Sequence, residues 1–185
     1  MVFEKKVSLI VMLCNLIEKK ASKCHYYWSK DEKIKNFKLQ ITSEKQINEN
    51  YIIRDFDCTC TKTNEVRKIK QLHFTGWPDH GVPEIEKVFD TFQEMIAEVE
   101  KLILESPVVV HCSAGVGRTG TFISMYNIHH IFSQKMLGED VAFNFNIWNL
   151  VRKLKEHRIM SVENILQYKF IYSYVGKYLF NILKK

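Results

Sequence analysis

The sequence is poor in the residues that mark small secreted scaffolds. Its 185 residues include three prolines and seven glycines, and the five cysteines are an odd number without the spacing of a disulfide framework. These absences argue against a disulfide-stapled domain and favour a reducing compartment, so a cytoplasmic location is predicted. Cys58 and Cys60 form a C-x-C pair, but no second ligand pair at zinc spacing accompanies them. No metal site and no cofactor are therefore predicted.

Long apolar runs are also absent. The most apolar stretch near the N-terminus, residues 7–13, follows Glu4, Lys5 and Lys6 and has no small-residue cleavage site. It is too short to span a bilayer, so neither membrane insertion nor a signal peptide is expected. No internal repeat or linker divides the chain, and a single domain over residues 1–185 is predicted.

The charge balance is basic. Lys and Arg number 27 against 21 Asp and Glu, a formal net charge of +6. Such a balance suits an anionic partner. The lysines are dispersed rather than blocked, so nucleic acid is not expected as that partner. The oligomeric state does not follow from these patterns.

Hydrophobic periodicity divides the chain into strands and helices. A nearly continuous apolar run, Val7–Cys14, predicts a central strand, and partial alternation predicts three antiparallel strands. Apolar residues at spacings of three and four predict helices in the second half. The predicted antiparallel strands are Phe37–Ile47, Tyr51–Thr63 and Glu65–Phe74, and the helices are Glu84–Glu105, Arg118–Met136, residues 143–154 and Val162–Leu183. This order favours an α/β fold with a mixed sheet.

The stretch PVVVHCSAGVGRTGT, residues 107–121, carries the strongest chemical signal. A β-branched run, Val108–Val110, predicts a fully buried strand, and three glycines then allow tight turns before a helix begins at Arg118. Backbone N–H groups of such a loop and of the helix N-terminus form an anion-binding cradle. Cys112 in that field is expected to be a thiolate nucleophile, and Arg118 can grip two phosphoryl oxygens. The loop lacks the lysine of an ATP-binding P-loop.

The motif HCSAGVGRTG resembles the signature loop of the protein tyrosine phosphatases, Cys-x5-Arg-Thr. A second segment, WPDHGVP, is similar to the family's lid, with Asp79 in the place of the general acid. The resemblance implies a mixed, highly twisted sheet flanked by helices, with the loop between a central strand and a helix. It also implies a phosphocysteine intermediate on Cys112 and phosphotyrosine-containing proteins as partners.

The resemblance extends to further site residues. Glu18 and Lys23 match a glutamate that braces the signature arginine and a lysine at the rim of the site, although from the residues alone both are interpreted as solvated charges. Gln167 matches the second of two catalytic glutamines. The complete set of predicted residues is catalytic Cys112, Asp79 and Arg118, substrate- or phosphate-binding Ser113, Ala114, Gly115, Val116, Gly117, Arg118, Thr119, Asp79 and Gln167, and supporting His111, Glu18, Lys23, Trp77 and Glu163.

Two features depart from the family pattern. Glu163 replaces the first glutamine, which orients the hydrolytic water, and a carboxylate offers no amide donor. The resemblance begins partway into the family's domain, so a partial domain without the N-terminal phosphotyrosine-recognition loop is predicted. These departures leave open a phosphotyrosine-binding pseudophosphatase. A lipid or RNA phosphatase is a further alternative, but the WPDHGVP segment favours tyrosine specificity over it.

The composition, rich in Lys, Ile, Asn, Phe and Tyr, narrows the resemblance further. Together with the segment TKTNEVRKIKQLHFTGWPDHGVP it is similar to the tyrosine phosphatases carried by the polydnaviruses (bracoviruses) of parasitoid wasps. The similarity implies interference with host signalling from the host cell cytoplasm.

Overall fold

The computed structural model describes residues 1–29, 34–78, 81–136 and 145–184. In chain order its elements are β1 Leu9–Met12, β2 Ile17–Glu18, β3 Ala21–Ser22, β4 Phe37–Asn48, β5 Tyr51–Cys60, β6 Val66–Phe74, α1 Ile85–Ile103, β7 Val108–His111, α2 Gly117–Met136, α3 Ile147–His157 and α4 Ile165–Leu183. The chain divides into two compact units. The first comprises residues 1–79 and 97–113, and the second comprises residues 80–96 and 114–185.

The first unit is built on a five-stranded mixed sheet in the order β4-β5-β6-β1-β7. Strands β4, β5 and β6 are antiparallel neighbours, as predicted, while β1 runs parallel to both β6 and β7. All four residues of β1 are at most 7% exposed, so the predicted central strand is confirmed. Its continuous apolar run follows from burial on both faces.

Strand β7 differs from the prediction of a fully buried central strand. Among the described strands it lies at the end of the order and pairs with β1 alone. Its four residues are half-buried. Three consecutive valines favour an extended backbone, but they do not determine the position of a strand within a sheet.

A small antiparallel hairpin, β2–β3, was not predicted. Its turn residues Lys19 and Lys20 both have positive φ, 47° and 66°, which is the geometry that Asn-Gly pairs usually provide. The lysines therefore gave no turn signal. The hairpin brings the chain back so that the Lys23 N–H donates to the Leu16 carbonyl at 2.8 Å.

A buried polar network crosses strands β4, β5 and β6 of the five-stranded sheet. The Arg54 guanidinium donates to Gln71 Oε1 at 2.9 Å and to His73 Nδ1 at 3.0 Å, and it pairs with Glu44. The other ring nitrogen of His73 donates to the Cys14 carbonyl at 2.9 Å. Burial, followed by the charge of Arg54, lowers the pKa of His73 to about 4. The imidazole is therefore neutral at pH 7, and its neighbours satisfy both nitrogens.

The second unit is helical. The ring of Phe92 on α1 lies 6.3 Å from that of Phe122 on α2 and 6.1 Å from that of Phe170 on α4, centroid to centroid. Helix α2 passes so close to the segment before α4 that a Cβ on Gly120 would lie 2.7 Å from the backbone nitrogen of Val162. A glycine is required at this crossing because a side chain there meets backbone.

The predicted helices are confirmed with small differences in their bounds. Residues 143 and 144, the start of the predicted third helix, lie outside the described part. Asn146 is the N-cap of α3, and its side chain accepts from the Trp148 N–H at 2.8 Å. None of the helices in the described part of the chain combines the length and apolar character that crossing a membrane needs.

Candidate active site

The glycine-rich loop connects the end of β7 to the start of α2. Strand β7 ends at His111 and α2 begins at Gly117, so residues 112–116 form the turn. Gly115 has a φ of +68°, which glycine adopts without strain. Cys112 and Arg118 are 7% and 9% exposed. The loop thus has the predicted strand, turn and helix order, with its two chemical side chains largely shielded from water.

His111 fixes the first peptide group of the loop. Its Nδ1 lies 3.1 Å from the Cys112 carbonyl, and a carbonyl can only accept, so Nδ1 carries the proton. Burial lowers the pKa of His111, and the neutral ring then has an unprotonated Nε2. The Tyr27 hydroxyl donates to this Nε2 at 3.1 Å and accepts from Gln71 Nε2 at 2.6 Å. Tyr27 was not among the predicted site residues, because only the fold brings it to His111.

The three other supporting residues of the first unit, Glu18, Lys23 and Trp77, have different surroundings. Glu18 is 8% exposed, and its Oε1 accepts from the Asn15 N–H at 3.0 Å. Interpreting Glu18 as a solvated charge was therefore wrong. Lys23 follows β3 and is half-buried, whereas Trp77, the first residue of the WPDHGVP segment, is buried. Asp79 lies outside the described residues, so its role as general acid stays a prediction.

Arg158 holds the second half of the loop. Its Nη2 donates to the Ala114 carbonyl at 3.0 Å, and a Cβ on Gly115 would lie 3.3 Å from the same nitrogen. Arg158 was not among the predicted site residues, because its run VRKLKEHR, residues 151–158, gives no signal beyond its charge. Arg158 is exposed, yet its guanidinium reaches a backbone carbonyl 44 residues away in sequence. It therefore fixes the orientation of a loop peptide.

Glu163 and Gln167 lie against the start of α2. A Cβ on Gly117 would be 2.9 Å from Glu163 Oε2 and 2.8 Å from Gln167 Nε2. The Glu163 N–H donates to Gln167 Oε1 at 2.8 Å, which fixes the amide so that its Nε2 faces Gly117. Asn164, the N-cap of α4, accepts from the Gln167 N–H at 3.0 Å. Both residues that the resemblance aligns with catalytic glutamines therefore lie beside the same glycine, where the glycine-rich loop enters α2.

The segment before Glu163 carries backbone strain. Val162 has a φ of +56°, a conformation that is unusual for a β-branched residue. Its carbonyl accepts from Lys155 Nζ at 3.1 Å, and the side chain is buried. Strained residues that are held by their surroundings concentrate at functional sites. Here the strain accompanies the turn that presents Glu163 to the loop.

Comparisons with known proteins agree with this geometry. The model of the family described as Protein-tyrosine phosphatase matches residues 1–177. The chain is 37% identical over 175 residues to the receptor-type tyrosine-protein phosphatase eta of Gallus gallus, covering 92% of this chain and 12% of that protein. It is 34% identical over 194 residues to the human tyrosine-protein phosphatase non-receptor type 20, covering 99% of this chain and 42% of that protein.

A solved structure gives the same result for the fold. The catalytic domain of human protein tyrosine phosphatase non-receptor type 18 superposes with a TM-score of 0.83 at 30% sequence identity, over 95% of this chain and 62% of that one. The α/β fold class predicted from the sequence is confirmed. This chain spans less than half of the two curated relatives and under two thirds of the solved domain. It belongs to the protein-tyrosine phosphatase family.

Proposed function

We propose that this chain is a protein tyrosine phosphatase that hydrolyses phosphotyrosine in proteins through a phosphocysteine intermediate. The observation that carries the proposal is the loop itself. Cys112 and Arg118 flank a turn that leads into the N-terminus of α2, and both are largely buried. Helix N-termini and tight glycine loops favour phosphate oxyanions. Family membership supplies the reaction class.

In the proposed first step the Cys112 thiolate attacks phosphorus and a P–S bond forms. The bond between phosphorus and the tyrosine oxygen breaks, and Asp79 gives its proton to the leaving phenolate. Backbone N–H groups of residues 113–117 and the Arg118 guanidinium hold the three phosphoryl oxygens as charge develops on them. The hydroxyl of Thr119 is proposed to donate to the thiolate. His111 keeps the Cys112 carbonyl in place from the strand side.

In the proposed second step a water attacks phosphorus and the P–S bond breaks. Asp79 takes the proton from that water, so inorganic phosphate leaves and the thiolate is regenerated. Gln167, which faces Gly117, is proposed to contact the phosphoryl group or the water. Glu163 faces the same glycine, but a carboxylate can accept only, so it holds the water less well than an amide. We propose that this step limits turnover.

A phosphotyrosine-capturing pseudophosphatase is the second candidate, and the position of Glu163 beside Gly117 is the observation that favours it. In that case the first step takes place and the second is nearly blocked. We also propose the remaining supporting roles that the resemblance implies. Glu18 braces Arg118, Lys23 contacts the rim of the site and Trp77 anchors the lid.

We also propose phosphotyrosine-containing proteins as partners. The structures similar to this chain include a complex of PTPN18 with HER2 phosphopeptides. The proposed location is the cytoplasm, of a host cell if the chain is viral, where a reducing environment keeps thiolates nucleophilic. Interference with host signalling by dephosphorylation is the corresponding role.

The test is turnover of a phosphotyrosine peptide by the purified chain, followed as phosphate release. We expect release that Cys112→Ser abolishes and that Cys58→Ser, a matched change at a cysteine on β5, leaves in place. A phosphoserine peptide of the same sequence should not be hydrolysed. If Cys112→Ser retains the activity, the proposed nucleophile is wrong. Tight binding of the peptide without release would favour the pseudophosphatase instead.

A further inference from the structure

Two cysteines and a histidine from three separate parts of the sequence converge in the first unit. One ligand atom of each of Cys14, Cys24 and His111 lies within 4.8 Å of the other two. All three residues belong to residues 1–29 and 97–113 of that unit. In the proposed phosphatase reaction Cys14 and Cys24 have no role, and His111 only holds the Cys112 carbonyl in place.

The sheet and the hairpin hold the three residues together. His111 ends β7 and pairs in parallel register with Met12, the last residue of β1, so Cys14 follows at the same edge of the sheet. The Leu13 N–H donates to the His111 carbonyl at 2.9 Å. The β2–β3 hairpin then returns the chain, and the Cys24 N–H reaches the Leu16 carbonyl at 3.4 Å. The cluster is therefore a consequence of the strand register and the hairpin.

The histidine has the tautomer that a metal ligand needs. Because Nδ1 of His111 donates to the Cys112 carbonyl, the lone pair lies on Nε2. Protein metal sites commonly orient a ligating histidine in this way, with the second ring N–H on a backbone carbonyl. At present the Tyr27 hydroxyl occupies Nε2 at 3.1 Å. A cation there has to displace one neutral hydrogen bond.

The two thiols differ in their access to water. Cys14 is 1% exposed, whereas Cys24 is partly exposed, and its Sγ lies 3.4 Å from the His25 carbonyl. Burial raises the pKa of Cys24, against a smaller lowering by Cys14. Both thiols must lose their protons to bind a cation, so binding releases protons to solvent. A cation can reach the three ligand atoms from solvent past Cys24, because this residue is partly exposed.

We propose that Cys14 Sγ, Cys24 Sγ and His111 Nε2 form a three-ligand site for a thiophilic divalent cation of the Zn²⁺ class. Two thiolates and one imidazole are a donor set that tetrahedral zinc uses, with water in the fourth position. Thiolates about 2.3 Å from a tetrahedral zinc are about 3.8 Å apart. The present separations of the ligand atoms, at most 4.8 Å, therefore have to shorten by about 1 Å or less between the thiolates and by about 1.3 Å or less between a thiolate and the imidazole nitrogen. With an open fourth position the cation should exchange.

The test uses the full chain with Cys112→Ser, because the nucleophile thiol could otherwise bind metal itself. Co²⁺ is titrated first, since it reports its ligands by absorption, and Zn²⁺ is then added to displace it. We expect one equivalent of Co²⁺ with a thiolate-to-cobalt charge-transfer band and the visible bands of tetrahedral coordination. The absence of a charge-transfer band would overturn the proposal. The readout is independent of phosphatase activity, so it stands or fails separately from the proposed function.

Ligand variants locate the site. Cys24→Ser and Cys14→Ser should each weaken Co²⁺ binding by more than about 100-fold, because loss of even an outer-shell partner typically costs 10–100-fold. The double change of Cys58 and Cys60 to Ser is the matched control and should retain binding. Far-ultraviolet circular dichroism checks the fold of each variant. Cys24→Ser should disturb the fold less than Cys14→Ser, because Cys24 is partly exposed and Cys14 is buried. If a folded Cys24→Ser protein binds as tightly as its parent, or if the control loses binding, the assignment is wrong.

Discussion

Glu163→Gln should speed turnover without changing the first chemical step. The substitution keeps the shape of the side chain and replaces a charge with an amide beside Gly117. The Glu163 N–H bond to Gln167 is a backbone interaction and survives the change. Transfer of phosphoryl to Cys112 depends on the loop and on Asp79, neither of which is altered. Only the hydrolytic step should respond.

The expected magnitude follows from the position and exposure of the carboxylate. A unit charge about 6 Å from another interacts by about 3 kcal/mol at an effective dielectric constant of 20 and by about 0.7 kcal/mol in water. Glu163 is exposed, so the lower value applies for each charge. Repulsion between Glu163 and the phosphoryl group is common to both steps, whereas negative charge develops on the attacking water only in the hydrolytic transition state, so the repulsion specific to that step is about 0.7 kcal/mol, which is about threefold in rate. The amide donor adds to this gain.

Stopped-flow mixing with an aryl phosphate separates the two steps. The parent chain should release a burst of phenol, one per active site, before a slow steady state. Glu163→Gln should raise the steady rate by at least about threefold, from the Coulomb estimate above, and leave the burst rate nearly unchanged. Glu156→Gln removes an exposed charge from α3 that pairs with Arg152, and it should change neither rate. An unchanged steady rate in Glu163→Gln would refute the reasoning.

Four other predictions test separate parts of the structure. Iodoacetate in mildly acidic buffer should alkylate Cys112 before the other four cysteines, with protection by vanadate; equal labelling by mass spectrometry would contradict an activated thiolate. Asp79→Ala should slow hydrolysis of a phosphotyrosine peptide far more than that of an aryl phosphate with an acidic leaving group, and equal losses in kcat would exclude the general-acid role. Gly120→Ala should lower the free energy of unfolding by about 1–3 kcal/mol, because the new Cβ would lie 2.7 Å from a backbone nitrogen. Gly176→Ala is the control: nothing lies within 4 Å of its Cβ, so it should raise the free energy of unfolding by about 0.5–1 kcal/mol. Urea titrations measure both changes. His73 has a pKa of about 6.5 in the unfolded chain and about 4 in the folded chain, so the unfolded chain binds its proton first as the pH is lowered. The free energy of unfolding should therefore fall by about 3 kcal/mol as the pH is lowered from about 6.5 to about 4. This fall should be smaller in His73→Gln, as measured by urea titrations at each pH.

Periodicity predicted the elements that are buried on a regular face. The continuous apolar run of β1 and the stripe of α1 carry their own signal, since burial of those positions is what the fold requires of them. The β2–β3 hairpin carries no such signal, because its strands are two residues long and two lysines hold its turn. The edge position of β7 is set by pairing between distant strands, which no local pattern encodes.

The candidate site divides in the same way. The loop from His111 to Thr119 is local, so its sequence indicated both its geometry and its chemistry. Glu163 was identified by resemblance, and the structure brings it to Gly117 through a strained turn at Val162. The contact of Arg158 with the loop joins residues far apart in sequence and could not be predicted from either segment alone.

The convergence of Cys14, Cys24 and His111 is the clearest example of a contact that the sequence could not predict. In the sequence, metal ligands are recognised by their short spacing, and the C-x-C pair on β5 is the one such pattern considered. The fold instead joins a thiol after β1, a thiol after the hairpin and a histidine 87 positions further along the chain (111 − 24). The parallel register of β1 and β7 makes this contact, and register is a long-range property.

Trapping the covalent intermediate tests directly whether Cys112 is the nucleophile. The chain is mixed with a phosphotyrosine peptide, quenched in acid within the burst phase, digested and examined by mass spectrometry. We expect a phosphoryl group on the peptide that contains Cys112, present in the parent chain, reduced in Glu163→Gln and absent in Cys112→Ser. Release of phosphate by the parent chain with no phosphoryl group on Cys112 at any quench time would contradict it.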